Sequence, residues 1–96
     1  MKHFVRVLCD VHCDWAAPAP DYRVFVNDEL FAERTFVWTD SYLEELLQIE
    51  APAGKYNIRY ELVPPHQAEL DVRNMRVELG PASITKNTLR IHNEMA

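Results

Sequence analysis

The stretch IEAPAGKYNIRYELV, residues 49–63, decides the fold, because it places a sharp turn directly before an alternating strand. Pro52 and Gly54 form the predicted turn, and Gly54 is one of only two glycines in the chain. Glycine adopts positive φ without a steric penalty, so we expect the turn to require that conformation. The residues that follow alternate with period two, and the positions that share one face are Tyr56, Ile58, Tyr60 and Leu62.

Alternating patterns of this kind recur along the chain, with turn signals between them. Asn27-Asp28 is predicted to form a two-residue hairpin turn, since both residue types tolerate the left-handed conformation. The segment 41–49 fits both a helical stripe and a strand, and we favour the strand because a sheet-type turn follows it. The apolar alternation slips by one position at Arg73-Asn74, which predicts a β-bulge.

These patterns add up to seven or eight short strands, spaced roughly ten to twelve residues apart. Such spacing is typical of an antiparallel β-sandwich, so the predicted fold class is all-β. Ninety-six residues suit one core, and we expect a single domain over residues 1–96.

The run from Ile49 to Tyr60 resembles the crossing between strands E and F in immunoglobulin-like and fibronectin-III-like sandwiches. In those folds a tyrosine near the start of strand F hydrogen-bonds back across the corner, and the resemblance implies this role for Tyr56, next to Pro52 and Gly54. The alternative is that Tyr56 is an ordinary core aromatic after a hairpin turn. The resemblance covers about a dozen residues, and it implies no active site, because the superfamily shares none.

The composition is that of a globular domain, with 48% hydrophobic and 26% charged residues. The net charge of −5 works against nucleic-acid binding, which depends on basic surfaces that release counterions. His3, Arg6 and Asp10 interrupt the N-terminal apolar run, unlike the core of a signal peptide, and no stretch has membrane-spanning length. We therefore expect cytosolic synthesis without a signal peptide, and neither a nucleic-acid partner nor a membrane partner.

The densest cluster of reactive side chains is CDVHCD, residues 9–14. Cys9, His12 and Cys13 are the candidate metal ligands or redox groups, but on an extended strand Cys9 and His12 point to opposite faces. The sequence contains no phosphate-binding glycine loop, nucleophile elbow or calcium loop. We expect neither enzyme activity nor a cofactor, and a metal or redox site at residues 9–13 is the weakest alternative.

Surface recognition is the class of function that these exclusions leave. Phe25 and Phe31 are predicted to face outward across the hairpin as an apolar patch, a feature that often marks an interface. The alternative is that the edge of the second sheet or a loop covers them. Trp15, in a proline-rich loop, and Trp38 complete the candidate protein interface. We expect a non-enzymatic module that self-associates or decorates a larger assembly, and a structural component of a phage or virus particle would fit this description.

The alternative function, from a different class, is carbohydrate binding. Aromatic side chains stack on sugar rings, and the candidates for that role are Trp15, Trp38, Tyr22 and Tyr42. Carbohydrate-binding modules usually accompany secreted enzymes, which makes protein contact the preferred hypothesis.

Overall fold

A computed structural model of the chain describes residues 2–38, 41–64 and 68–93. Within these ranges the chain forms eight β-strands, which confirms the all-β prediction and the predicted number of strands. The strands are β1 (Lys2–Trp15), β2 (Asp21–Val26), β3 (Glu29–Thr35), β4 (Leu43–Pro52), β5 (Gly54–Leu62), β6 (Ala68–Leu79), β7 (Ala82–Thr85) and β8 (Thr88–Ile91). The strand interpretation of residues 41–49 is therefore correct from Leu43 onward.

The strands form two antiparallel sheets. The three-stranded sheet has the order β4-β1-β6, and the five-stranded sheet has the order β3-β2-β5-β8-β7. The chain crosses from one sheet to the other after β1, β3, β4, β5 and β6, so consecutive strands repeatedly face each other across the core. In the described part of the chain, no helix has the length and apolar character needed to span a membrane.

The core lies between the sheets and is built from the inward residues of the central strands. In β1, the inward positions alternate with outward ones as its pattern predicts. Full burial of one such aliphatic side chain stabilises the fold by roughly 1.5–3 kcal/mol. The fully or almost fully buried apolar residues are Val5, Val7, Cys9, Val11, Tyr22, Val24, Phe36, Leu47, Ile49, Ile58, Leu89 and Ile91.

Two irregular features predicted from the sequence are present. Asn27 and Asp28 have φ of 51° and 66°, so the β2–β3 hairpin turn uses the left-handed conformation that both residues tolerate. In β6, Asn74 has φ of 54°, and the pairing with β1 shifts there by one residue. This β-bulge lets β6 keep apolar residues on its inner face on both sides of Asn74.

Candidate functional site

A polar cluster lies in the interior between the sheets, centred on Glu45 of β4, which is only 4% exposed. The Tyr60 hydroxyl donates a hydrogen bond to Glu45 Oε1 at 2.7 Å, and the Tyr22 hydroxyl lies 3.3 Å from both carboxylate oxygens. The guanidinium of Arg34 on the edge strand β3 forms an ion pair with the same carboxylate. Since a buried charge needs such partners, the cluster fastens β4 to three strands of the opposite sheet.

The thiol of Cys9 belongs to the same cluster, with Sγ 3.1 Å from the Tyr60 hydroxyl oxygen. Burial, reinforced by the charge of Glu45, raises the pKa of Cys9 to about 11. Burial likewise raises the pKa of Tyr60 and of Tyr22. A thiol kept protonated is a poor nucleophile and a poor metal ligand, so this chemistry suits a structural link between the sheets.

Sequence reasoning missed this cluster, although one signal for it was available. Glu45 occupies an inward position between Leu43 and Leu47 of the strand pattern. A carboxylate at such a position requires donors from the opposite sheet, and the inward tyrosines of β2 and β5 supply them.

The corner between β4 and β5 is closed by Tyr56. Its hydroxyl donates a hydrogen bond to the carbonyl oxygen of Pro52 at 2.6 Å, and Gly54 between them has φ of 157°. The half-buried ring packs against the core while its hydroxyl satisfies a backbone group of the turn. The bond therefore has the geometry that the resemblance to E-to-F crossings implied for Tyr56.

The candidate metal ligands in β1 lie on different sides of the three-stranded sheet. Cys9 points into the core toward Tyr60, and Cys13 is half-buried against the same core. The His12 ring lies outside the core and stacks on Tyr42, with ring centroids 4.9 Å apart. Among the described residues, no group of three or more His, Cys, Asp or Glu side chains could hold a metal ion.

A register shift in the β2–β3 pairing separates the two residues of the candidate patch, Phe25 and Phe31. The β2–β3 pairing shifts between Val24 and Phe25, so Leu30 rather than Phe31 lies opposite Phe25. Phe25 is half-buried under Arg59, whose guanidinium carbon lies 4.3 Å from the ring centroid. The expectation of an outward Phe25–Phe31 pair is therefore wrong, because one extra residue in β3 changes the facing of its side chains.

Phe31 instead borders a cleft between the edges of the two sheets, and it is 40% exposed. The cleft has a volume of about 320 Å³. Its apolar lining comes from β2, β3, β4 and the corner, namely Val26, Leu30, Phe31, Ile49, Ala51 and Tyr56.

The two tryptophans lie together at one end of the molecule. Trp15 Nε1 donates a hydrogen bond to the carbonyl oxygen of Trp38 at 2.8 Å, and the Trp38 ring packs at an angle against the buried Phe36. Trp15 is half-buried, whereas Trp38 is 40% exposed. Trp38 is thus the more accessible member of this pair.

The four candidate sugar-stacking residues do not form one platform. Tyr22 is fully buried and bound to Glu45, so its assignment as a sugar-stacking residue is wrong. Tyr42 is exposed and stacks on His12, whereas the two tryptophans contact each other. Sugar binding at Trp38 or Tyr42 stays a prediction.

Among the described residues, eight large apolar side chains are exposed; Tyr42 stands apart, and the other seven fall into two groups. The first, which we call the β3 ribbon, consists of Leu30, Phe31, Val37 and Trp38, in β3 and the segment after it. The second lies on the outer face of the three-stranded sheet and contains Phe4, Leu46 and Leu79. Only Ala32 of the seven residues of β3 is not exposed, which sets this strand apart from every other strand in the described chain.

Comparison of the chain with protein-family models, with curated proteins and with solved structures found no match. Any assignment of function consequently depends on the surfaces and the interior chemistry described above.

Proposed function

We propose that this chain is a non-enzymatic protein-interaction module that associates with further copies of itself through the β3 ribbon. The observation that carries this proposal is the exposure of β3 on both faces, with Leu30 58% and Phe31 40% exposed. Exposed edge strands with apolar residues readily pair with another chain, and soluble proteins usually shorten or cover them.

Charges beside the β3 ribbon restrain this association. Glu29 is exposed on β3, Glu33 is exposed but paired with Arg23 at 2.6 Å, and the chain as a whole carries a net charge of −5, so the repulsion comes from Glu29 and the net charge. Two copies that approach through β3 bring like charges together, so added salt should strengthen their association by screening the repulsion. Charges on an edge strand also limit unspecific aggregation, which favours a defined contact.

We also propose that the fold belongs to the immunoglobulin-like superfamily of β-sandwiches. In immunoglobulin-like sandwiches strand B lies between A and E, and strand F lies between C and G. Here β1 lies between β6 and β4, and β5 lies between β2 and β8. With β1 as B, the strands β2, β4, β5 and β8 take the places of C, E, F and G, while β6 takes the place of A from a later point in the chain. The Tyr56 hydrogen bond at the β4–β5 corner supports the same assignment.

The test is sedimentation velocity of the purified protein from micromolar to millimolar concentration, at low and at high salt. We expect a concentration-dependent dimer or larger species that increases with salt. Leu30→Lys and Phe31→Lys should each weaken the association by roughly tenfold, as expected for residues at the centre of an interface. Ser41→Lys is the matched control, because Ser41 is also exposed but lies outside the β3 ribbon.

A protein that sediments as a monomer at every concentration and salt condition contradicts the proposal. Equal weakening by Ser41→Lys would assign the effect to net charge rather than to the β3 ribbon. A place in a phage or virus particle could use the same surface, and it stays a prediction.

A further inference from the structure

Strand β5 is hydrogen-bonded along only part of one of its two edges. On one side it pairs with β2 from Ile58 to Leu62. On the other side β8 pairs only with residues 54–57, and the Ile58 N–H then donates to the Asn87 carbonyl oxygen at 2.9 Å. From Arg59 to Leu62, no strand of the described chain pairs with this side of β5.

The hydrogen-bond pattern identifies the backbone groups that face this free edge. The Asn57 carbonyl accepts from Asn27, and the Val63 N–H donates to Asp21, so the odd-numbered residues of β5 direct their backbone groups toward β2. Because these groups alternate along an antiparallel strand, Tyr60 and Leu62 direct theirs toward the free edge. Two N–H and two C=O groups are thus in position to pair with a further strand.

A cleft of about 720 Å³ lies beside the free edge, between β5 and β6. This volume lies within the range of roughly 300–1,000 Å³ found for ligand sites. Leu70, Val72 and Met75 of β6 form an apolar wall that is only half-buried, although they pack against the core. The wall lacks the cover that a complete neighbouring strand would give it.

One end of the cleft carries a positive charge without an acidic partner. Lys86, in the turn between β7 and β8, is exposed and forms no ion pair with the described residues. By contrast, Asp71 at the cleft is paired with Arg73 at 2.6 Å, and Arg59 is paired with Glu61. An incoming chain should therefore place an acidic group near Lys86.

We propose that this cleft binds an extended peptide segment of a partner protein, which pairs with β5 as an additional antiparallel strand. The segment continues the line of β8, which runs antiparallel to β5, so its C-terminal end meets the turn that contains Lys86. It spans about four residues, or roughly 13 Å. Residues opposite Tyr60 and Leu62 exchange backbone hydrogen bonds with them, and their apolar side chains cover Leu70 and Val72.

This binding mode specifies the chemistry of the partner. Main-chain hydrogen bonds supply affinity without regard to sequence, while alternate apolar side chains and a C-terminal acidic group supply selectivity. The site is separate from the β3 ribbon, since β3 and β5 lie on opposite sides of β2. The two proposals can therefore fail independently.

The probe is the synthetic peptide acetyl-Thr-Val-Thr-Val-Asp with a free C-terminal carboxylate, titrated into ¹⁵N-labelled protein. We expect the amide signals of Tyr60 and Leu62 to shift most and to become protected from exchange. Lys86→Glu should weaken binding by roughly twofold to fivefold, the usual size of an exposed charge pair. Lys55→Glu makes the same charge change at an exposed position outside the cleft, and it should leave the affinity unchanged.

Backbone methylation provides the decisive control. N-methylation of the two Val residues removes the donors that face β5 and should abolish binding, whereas N-methylation of the Thr residues should not. Phe31→Lys should bind the peptide as the unaltered protein does.

Two outcomes would overturn the inference. One is the absence of amide shifts at Tyr60 and Leu62 at millimolar peptide. The other is equal binding of the Val-methylated peptide, because that peptide cannot form the added strand.

Discussion

The two ends of β5 differ in how their backbone groups are satisfied, although each end is a crossing between the sheets: the chain arrives from β4 of the three-stranded sheet and leaves to β6 of the same sheet. At the first crossing, the Tyr56 hydroxyl bonds the Pro52 carbonyl and closes the corner over a few residues. At the second end, Tyr60 and Leu62 use their side chains in the interior and leave their backbone groups at a free edge. The difference arises because β8 begins opposite Asn57 and runs away from the second end of β5, which leaves the candidate binding cleft at the open end.

The largest loss of stability is expected from a substitution in the turn between β6 and β7, which lies at neither end of β5. Gly80 has φ of 110°, and a Cβ atom there would lie 2.6 Å from the Phe4 carbonyl oxygen. Gly80→Ala should lower the free energy of unfolding by about 4 kcal/mol, since steric overlap and unfavourable φ add together. Urea denaturation followed by circular dichroism measures this change.

Gly54→Ala at the closed corner is the matched control. The nearest neighbours of a Cβ atom there would be atoms of the Tyr56 side chain at 3.8 Å, an ordinary contact distance, so the cost comes from the backbone conformation. We expect a loss of about 1–2 kcal/mol. If Gly54→Ala proves as damaging as Gly80→Ala, the corner is more constrained than these distances imply.

The closed corner was predictable from the sequence because each of its requirements is local. Pro52, Gly54 and Tyr56 lie within five residues, and the turn and the hydrogen bond need no information from other strands. The hairpin at Asn27-Asp28 was predictable for the same reason.

The remaining features depend on pairing between strands that are distant in sequence. The register shift between Val24 and Phe25 turns Phe31 away from its expected partner. The partners of Glu45 come from three strands of the other sheet, and the steric role of Gly80 depends on the approach of Phe4. The open cleft depends on where β8 begins, which no residue in β5 specifies.

The second prediction compares the hydroxyl groups at the two ends of β5. Tyr60→Phe removes the donor to the buried carboxylate of Glu45, which should cost about 2–3 kcal/mol, because hydrogen bonds to charged groups exceed neutral ones. Tyr56→Phe removes a bond to a carbonyl in an exposed corner and should cost about 1 kcal/mol. Tyr42→Phe, at an exposed ring, should change the stability by less than about 0.5 kcal/mol. The reverse order for the first two variants would mean that the corner, rather than the interior cluster, holds the sheets together.

The third prediction concerns alkaline pH, which acts on the interior cluster through the thiol of Cys9. Cys9 has a pKa of about 11 in the folded chain because of burial, against 9.0 as its ordinary value. Between these values the unfolded chain has released the thiol proton while the folded chain retains it, so stability falls as pH rises. From pH 8 to pH 10 the Cys9 contribution should fall by about 1 kcal/mol.

Equilibrium unfolding at several pH values tests this contribution. Cys9→Ala should flatten the alkaline decline in stability, whereas Cys13→Ala, at a half-buried thiol, should change it less. An unchanged slope in Cys9→Ala would show that another group causes the decline, the candidates being Tyr60 and Tyr22, whose pKa values are also raised by burial.

The fourth prediction concerns hydrogen exchange of the backbone amides at the open end of β5 and requires no substitution. Along β5, the amides of Arg59 and Glu61 face β2, whereas those of Tyr60 and Leu62 face the free edge. Hydrogen exchange under native conditions should therefore alternate, with Tyr60 and Leu62 exchanging at least roughly tenfold faster than their neighbours. The Ile58 amide, which donates to Asn87, serves as the internal control and should be protected. Uniform protection from Ile58 to Leu62 would mean that a strand already occupies the cleft in solution, beyond the point at which the pairing of β8 ends at Asn57.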